Sequence, residues 1–193
     1  RTTLRNDGSI VLALEGSAIR VKRARLIGPQ TQLEMSGAIA LQQKNPLDLK
    51  IKGQASLNIV QDFYPEVFAD GNVGLAATVR GAWSSPLIGG RLELKDASVN
   101  LPDFPTGISN ANGVILFDGS QATIQQLQAE SGGGKVTVSG FAAYGGPTMV
   151  FRLQTEAAEV RIRYPEGLST TANANLVLTG TTERSTLTGT VTI

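Results

Sequence analysis

The chain has 193 residues, 17 Lys and Arg against 16 Asp and Glu, and neither cysteine nor histidine. Cys/His zinc sites, thiol nucleophiles and Ser/His/Asp triads are thereby excluded, and a net charge of +1 gives no concentrated basic footprint for nucleic acid. The 22 glycines and the abundance of Thr, Val, Leu and Ala suit strands and turns, and the fold class expected is all-β.

In chain order, alternation of apolar and polar residues predicts strands at Ser9–Glu15, Ala18–Ile27, Gln32–Leu41, Leu47–Leu57 and Asn72–Gly81. Further strands are predicted at Gly90–Leu94, Ala97–Leu101, Gly113–Phe117, Ala122–Ala129, Lys135–Ala142, Met149–Thr155, Glu159–Arg163, Ala172–Gly180 and Thr186–Ile193. The helical spacing of Ile59, Val60, Phe63, Tyr64, Val67 and Phe68 predicts one short amphipathic helix over 58–69, broken at Pro65, packing on one mouth of the sheet. Turn chemistry stands at Asn6-Asp7-Gly8, Gly28-Pro29, Asn45-Pro46, Ser85-Pro86, Asn112-Gly113, Asp118-Gly119, Gly145-Gly146-Pro147 and Pro165-Glu166-Gly167. Short connections favour an antiparallel meander. No linker-like stretch divides the chain, so residues 1–193 read as a single continuous segment. The start at Arg1 without methionine, and the end inside an alternating strand, give the expectation of a piece of a longer protein.

One phrase recurs: apolar, any, apolar, polar, glycine, at Leu33–Gly37, Leu49–Gly53, Ala77–Gly81, Val136–Gly140 and Leu176–Gly180, with Gly189 repeating the theme. Each glycine falls in phase with the apolar residues of its strand. A bulge would shift the parity, so the expectation is a glycine kink on the apolar face that curves the sheet into an open trough. The predicted curving glycines are Gly37, Gly53, Gly81, Gly140, Gly180 and Gly189. The predicted apolar lining is Leu33, Met35, Ile39, Leu41, Leu49, Ile51, Leu75, Val79, Val136, Val138, Phe151, Leu153, Leu176, Leu178, Leu187 and Val191. So large an apolar surface demands an apolar ligand to cover it.

Other motifs have plainer readings. Gly132-Gly133-Gly134-Lys135 lacks the upstream glycine and the Ser/Thr of a phosphate loop and reads as a turn between strands. Arg20, Lys22, Arg23 and Arg25 could meet phosphate headgroups, but their alternation with Ile19 and Val21 reads first as a solvated outer face. Asp62, Glu66 and Asp70 share a helical face without calcium-loop spacing and read as solvated. Phe63, Tyr64, Phe68 and Trp83 fit either a lipid-facing plug or the hydrophobic anchor of the helix. Neither a metal nor a cofactor is expected, and no residue is expected to be catalytic.

The run Val79-Arg-Gly-Ala-Trp-Ser-Ser-Pro-Leu-Ile-Gly-Gly-Arg-Leu-Glu-Leu-Lys-Asp-Ala-Ser-Val99, followed by Leu101-Pro102, resembles the TamB family. Asn112–Phe117, Ala129–Gly140, Leu176–Gly180 and Leu187–Val191 continue the resemblance in order over most of the chain. AsmA-like proteins share the style and form the broader superfamily. The resemblance implies a β-taco with an apolar groove, belonging to a periplasmic part of an inner-membrane-anchored protein that reaches the outer membrane of a diderm bacterium. It implies carriage of phospholipid or another acyl lipid, without catalysis, and a TamA/BamA-like barrel as partner through regions outside this segment. Three rivals stand beside the conduit: a scaffold for outer-membrane protein assembly by strand addition at Thr186–Ile193, a closed barrel around one small apolar ligand, and a saccharide hydrolase.

Overall fold

A computed structural model describes residues 4–102, 104–162 and 169–193. Its described residues form β1 (Arg5–Asn6), β2 (Val11–Glu15), β3 (Ala18–Gly28), β4 (Thr31–Ala40), β5 (Leu47–Ser56), β6 (Phe68–Ala82), β7 (Ser85–Leu101), β8 (Phe104–Asp118), β9 (Gln121–Ser131), β10 (Gly134–Ala143), β11 (Val150–Ile162), β12 (Thr170–Thr181) and β13 (Ser185–Thr192). All join one antiparallel sheet, and from β3 to β13 each strand pairs with its neighbours in sequence. β1 and β2 lie end to end along the outer edge of β3, pairing with Leu26–Ile27 and with Ala18–Arg23 respectively. The sheet therefore stays open, with β1 and β2 on one edge and β13 on the other, and it is not a closed barrel.

Two-residue loops make most of the hairpins, because the sequence supplies residues for tight turns there. Between Ser131 and Gly134, Gly132 and Gly133 take φ of 56° and 83°, the pair of positive angles that a right-twisted hairpin favours. The run of three glycines before Lys135 is thus a strand connection. The turn expected at Pro165-Glu166-Gly167 lies outside the described residues.

Helix occupies far less than 58–69. A 3-10 turn at Leu57–Ile59 leads into α1 (Val60–Phe63), and Phe68 and Ala69 already belong to β6. Pro65 explains the correction: it supplies no amide hydrogen to a helix, and its ring disfavours helical backbone at Tyr64, which sits at φ −129° and ψ 85°. Asp62, Glu66 and Asp70 consequently do not share a helical face. Ser56 caps the turn, its hydroxyl oxygen accepting from the Asn58 N–H at 3.2 Å, and Leu57 packs on Ala97, Ala111 and Ala129 at one end of the apolar face.

The fourteen predicted segments become thirteen strands for a physical reason. Two pairs of segments, 90–94 with 97–101 and 149–155 with 159–163, fall on single strands interrupted by bulges, β7 and β11, Arg163 lying outside the described residues, and the two-residue β1 is added. In β7 the register slips between Leu94 and Ala97, and in β11 between Ala157 and Val160. Asp96 and Glu159 sit in these bulges at φ of 48° and 55°, so the alternation breaks while the strand continues.

Candidate functional site: an apolar trough

Register aligns the apolar residues of every long strand into lateral rows. Leu26, Leu33, Gly53, Leu75, Leu92, Ile115, Ile124, Gly140, Leu153, Leu178 and Leu187 are successive partners, one from each strand β3 to β13. A parallel row runs Ala24, Met35, Ile51, Ala77, Gly90, Phe117, Ala122, Ala142, Phe151, Gly180 and Ser185. Ten strand-to-strand steps of about 4.8 Å make each row about 48 Å long. Side chains on one row stand on the same side of the sheet, since directly paired residues do.

That side is the shielded one, although the described residues form a single sheet with one four-residue α-helix and no second layer. Along β11, Phe151, Leu153, Thr155 and Ala157 are partly buried while Arg152, Gln154, Glu156 and Ala158 are exposed. Ala77 is 9% exposed whereas Ala76 beside it lies in the open. With no covering layer, the shielding comes from curvature, each strand sheltering its neighbours on the concave side. The curl is tightest near the β9–β10 hairpin, where Cα atoms of β8 and β11 come within 8 Å; three flat strand steps would hold them about 14 Å apart.

Glycine permits this bending by a specific contact. Gly140 has φ 137°, and a Cβ added there would overlap the Arg152 carbonyl oxygen and stand 2.9 Å from the Cα of Leu153. Gly53 at φ 142° meets the Gln32 carbonyl and the Cα of Leu33 in the same manner. Both conformations are closed to other residues. Gly37, Gly180 and Gly189 repeat the geometry, and so does Gly90, which the sequence reading did not single out. Gly81 differs: its φ is 94°, and an added Cβ would find its nearest atom, Ser85 O, at 3.5 Å.

The structure brings together nearly all the predicted lining. Leu33, Met35, Ile39, Leu49, Ile51, Leu75, Val79, Val136, Val138, Phe151, Leu153, Leu176, Leu178, Leu187 and Val191 stand on the apolar face by register. Leu41 is the exception: β4 ends at Ala40, and Leu41 lies in the following turn, 58% exposed. Leu92, Leu94, Ile115, Ile124 and Leu127 belong to the face as well and were legible from the same alternation. The aromatic group does not assemble. Phe63, Tyr64 and Phe68 lie where α1 meets β6, and Trp83 lies in the β6–β7 loop at the opposite end of β6.

The packing left behind is unusual for a core. Its buried apolar residues are mainly alanines, such as Ala97 at 3% and Ala172 at 3% exposure, while most of the larger aliphatics, Val21 and Leu47 apart, stay partly accessible. Small side chains let the backbone curl, and the aliphatic tips form an accessible apolar surface. Charges keep to the other face, where Lys52 meets Glu34 at 3.2 Å and Arg80 meets Asp48 at 3.1 Å. Both pairs are direct cross-strand partners. Hydrogen bonding by Lys52, with its charge, holds the Glu34 carboxyl below its ordinary value.

Among the described residues no cluster of His, Cys, Asp and Glu could hold a metal ion, and no helix is long and apolar enough to cross a membrane. Comparisons with curated proteins and with solved structures returned no match. The family model described as the TamB C-terminal domain matches residues 22–193. That family is associated with the cell envelope and works in transport and assembly without catalysis. A meander of glycine-bent strands around an aliphatic trough, matched over this length, makes the chain a member of the TamB family, within the AsmA-like superfamily.

Proposed function

We propose that the chain is a non-enzymatic segment of a lipid conduit, in which the trough receives acyl chains of phospholipid and lets them slide from strand to strand. The single observation that carries the reading is the pair of lateral rows of apolar and glycine residues, one running from β3 to β13 and the other from β3 to β12 before it meets Ser185. A path perpendicular to the strands meets an aliphatic, aromatic or glycine position at nearly every step. Burying each methylene is worth about 0.8 kcal/mol, so an acyl chain of about a dozen gains on the order of 10 kcal/mol before ordering costs. Because consecutive steps are alike, little of that gain changes as the lipid advances, and passage requires no chemistry. The setting that suits such a conduit is the periplasm, within a protein anchored in the inner membrane and reaching the outer one.

Photo-crosslinking of phospholipid to the protein tests the reading. Val138→Asp places a charge on the row that joins Leu127, Val138 and Thr155, where an unpaired ion is costly. Crosslinking is lost in Val138→Asp and retained in Thr137→Asp, whose side chain faces outward; equal crosslinking in both folded variants overturns the conduit.

A second reading rests on β13. Its eight residues are all exposed and one backbone edge is unpaired within this sheet, so a client strand could add there by backbone pairing, with a TamA/BamA-like barrel as the receiving partner. Blocking this edge while lipid passage persists, and finding outer-membrane protein assembly stopped, would favour the scaffold.

A further inference from the structure

The face turned away from the trough carries a feature that the conduit does not use. Lys22 and Arg23 occupy a bulge in β3, both opposite Ser36, between the pairs Val21–Gly37 and Ala24–Met35. Strict alternation from Val21 would send Arg23 into the trough. The extra residue leaves both cations exposed on the outer face and returns Ala24 to the apolar one, buried at 6%. Ser36 then pairs with Lys50, Lys50 with Thr78, and Thr78 with Gly89. These residues line one depression of about 760 Å³, together with Met35, Ile51, Ala77 and Gly90 of the second row, a volume within the range of small-ligand sites. Its depth comes from what is missing, since Ser36, Ala76 and Gly89 fill little space.

The charge in this depression is predominantly positive, with Lys22, Arg23, Lys50 and Lys52 lining it beside a single carboxylate, Glu34. The nearby carboxylates are engaged, Glu34 by Lys52 and Asp48 by Arg80, whereas Lys22, Arg23 and Lys50 have no ion pair among the described residues. Three unpaired cations within two strand spacings, about 10 Å, repel one another and favour a multivalent counter-ion. We propose that this depression binds a small, multiply charged phosphate compound, such as a diphosphate, from the aqueous side. A guanidinium at Arg23 suits two phosphate oxygens at once, the ammonium groups of Lys22 and Lys50 act as point charges, and the Ser36 hydroxyl supplies a neutral donor. The source is a water-borne ligand: the sheet itself separates the depression from the trough, so a lipid lying there cannot extend its headgroup through, and a planar bilayer does not enter a hollow in a sheet face.

Isothermal titration with pyrophosphate on the purified chain tests the proposal. Pyrophosphate binds one to one and more weakly as salt is raised, Lys22→Gln/Lys50→Gln weakens it by about tenfold or more, and Lys22→Arg/Lys50→Arg retains it. If the double glutamine variant fails to fold, as judged by circular dichroism, Arg23→Gln provides the same comparison at one exposed position. Absence of binding, undiminished binding in folded Lys22→Gln/Lys50→Gln or Arg23→Gln, or attachment to phosphatidylglycerol vesicles without affinity for pyrophosphate overturns it. Val138→Asp leaves pyrophosphate binding unchanged, which separates this site from the conduit.

Discussion

The backbone N–H of Glu159 in β11 donates to the side-chain oxygen of Asn173 in β12 at 2.9 Å. Glu159 is the left-handed residue of a bulge, and its amide, displaced from the ladder, finds a carboxamide in place of a carbonyl. Asp96 and Asn112 repeat the arrangement between β7 and β8 at 3.0 Å. Asn173→Ala should lower stability by about 1 kcal/mol, the worth of an ordinary hydrogen bond. Glu159→Gly should recover a similar amount by relieving the positive φ. Urea titration of the two single variants and the double variant checks both signs; an unchanged midpoint in Asn173→Ala would show that the bulge stands on backbone pairing alone.

A larger effect is expected at the bending glycines. Gly140→Val and Gly53→Val each force a side chain against the neighbouring backbone at a φ that valine does not adopt, and each should cost about 3 kcal/mol or more. Gly81→Ala, with its nearest contact at 3.5 Å, keeps only the cost of its positive φ, about 1 kcal/mol. Thermal unfolding of the three variants orders them, and an equal loss in all three would remove close strand approach as the reason for glycine.

Parity gives a ligand prediction independent of crosslinking. Leu153 lies on the long apolar row and Gln154 on the outer face. Leu153→Asp should lower the affinity for an apolar fluorescent dye about tenfold or more, with Gln154→Asp near the parent value. Dye titration on variants first shown to be folded decides it, and dye binding untouched by Leu153→Asp would move the apolar site elsewhere.

The Lys52–Glu34 pair sets an acid-side dependence. The folded carboxyl titrates below its ordinary value of 4.5, so its contribution is complete above that value and disappears as pH falls through the lowered pKa. Glu34→Gln should therefore lower stability slightly near neutrality and converge with the parent in acid, which flattens this part of the acid-side slope. Urea midpoints measured in acid and at neutrality for parent and variant test it; parallel slopes would mean that the pair contributes nothing measurable.

Much of the fold was legible because a strand has period two. Leu33, Met35, Gly37 and Ile39 announce one face without knowledge of any neighbour, and the in-phase glycines announce where it bends. Bulges were not legible. Nothing local separates Lys95-Asp96 or Ala158-Glu159 from the end of a strand, since their register depends on Asn112 and Asn173 in the next strand, and so single strands were read as two. The helix was overextended because Phe68 keeps helical spacing after Pro65 has already ended the helix. Lys22 and Lys50 are 28 positions apart in sequence, and only the register places them around one hollow.

Because each strand from β3 to β13 pairs with its neighbours in sequence, the architecture is extensible. Duplicating one hairpin adds two strands, or about 10 Å of path, without moving any existing contact, and deleting one shortens the path by the same step. Stability in such a ladder is close to a sum over adjacent strands, and unfolding can begin at a free edge and advance strand by strand. The length of such a sheet is thus set by its number of hairpins.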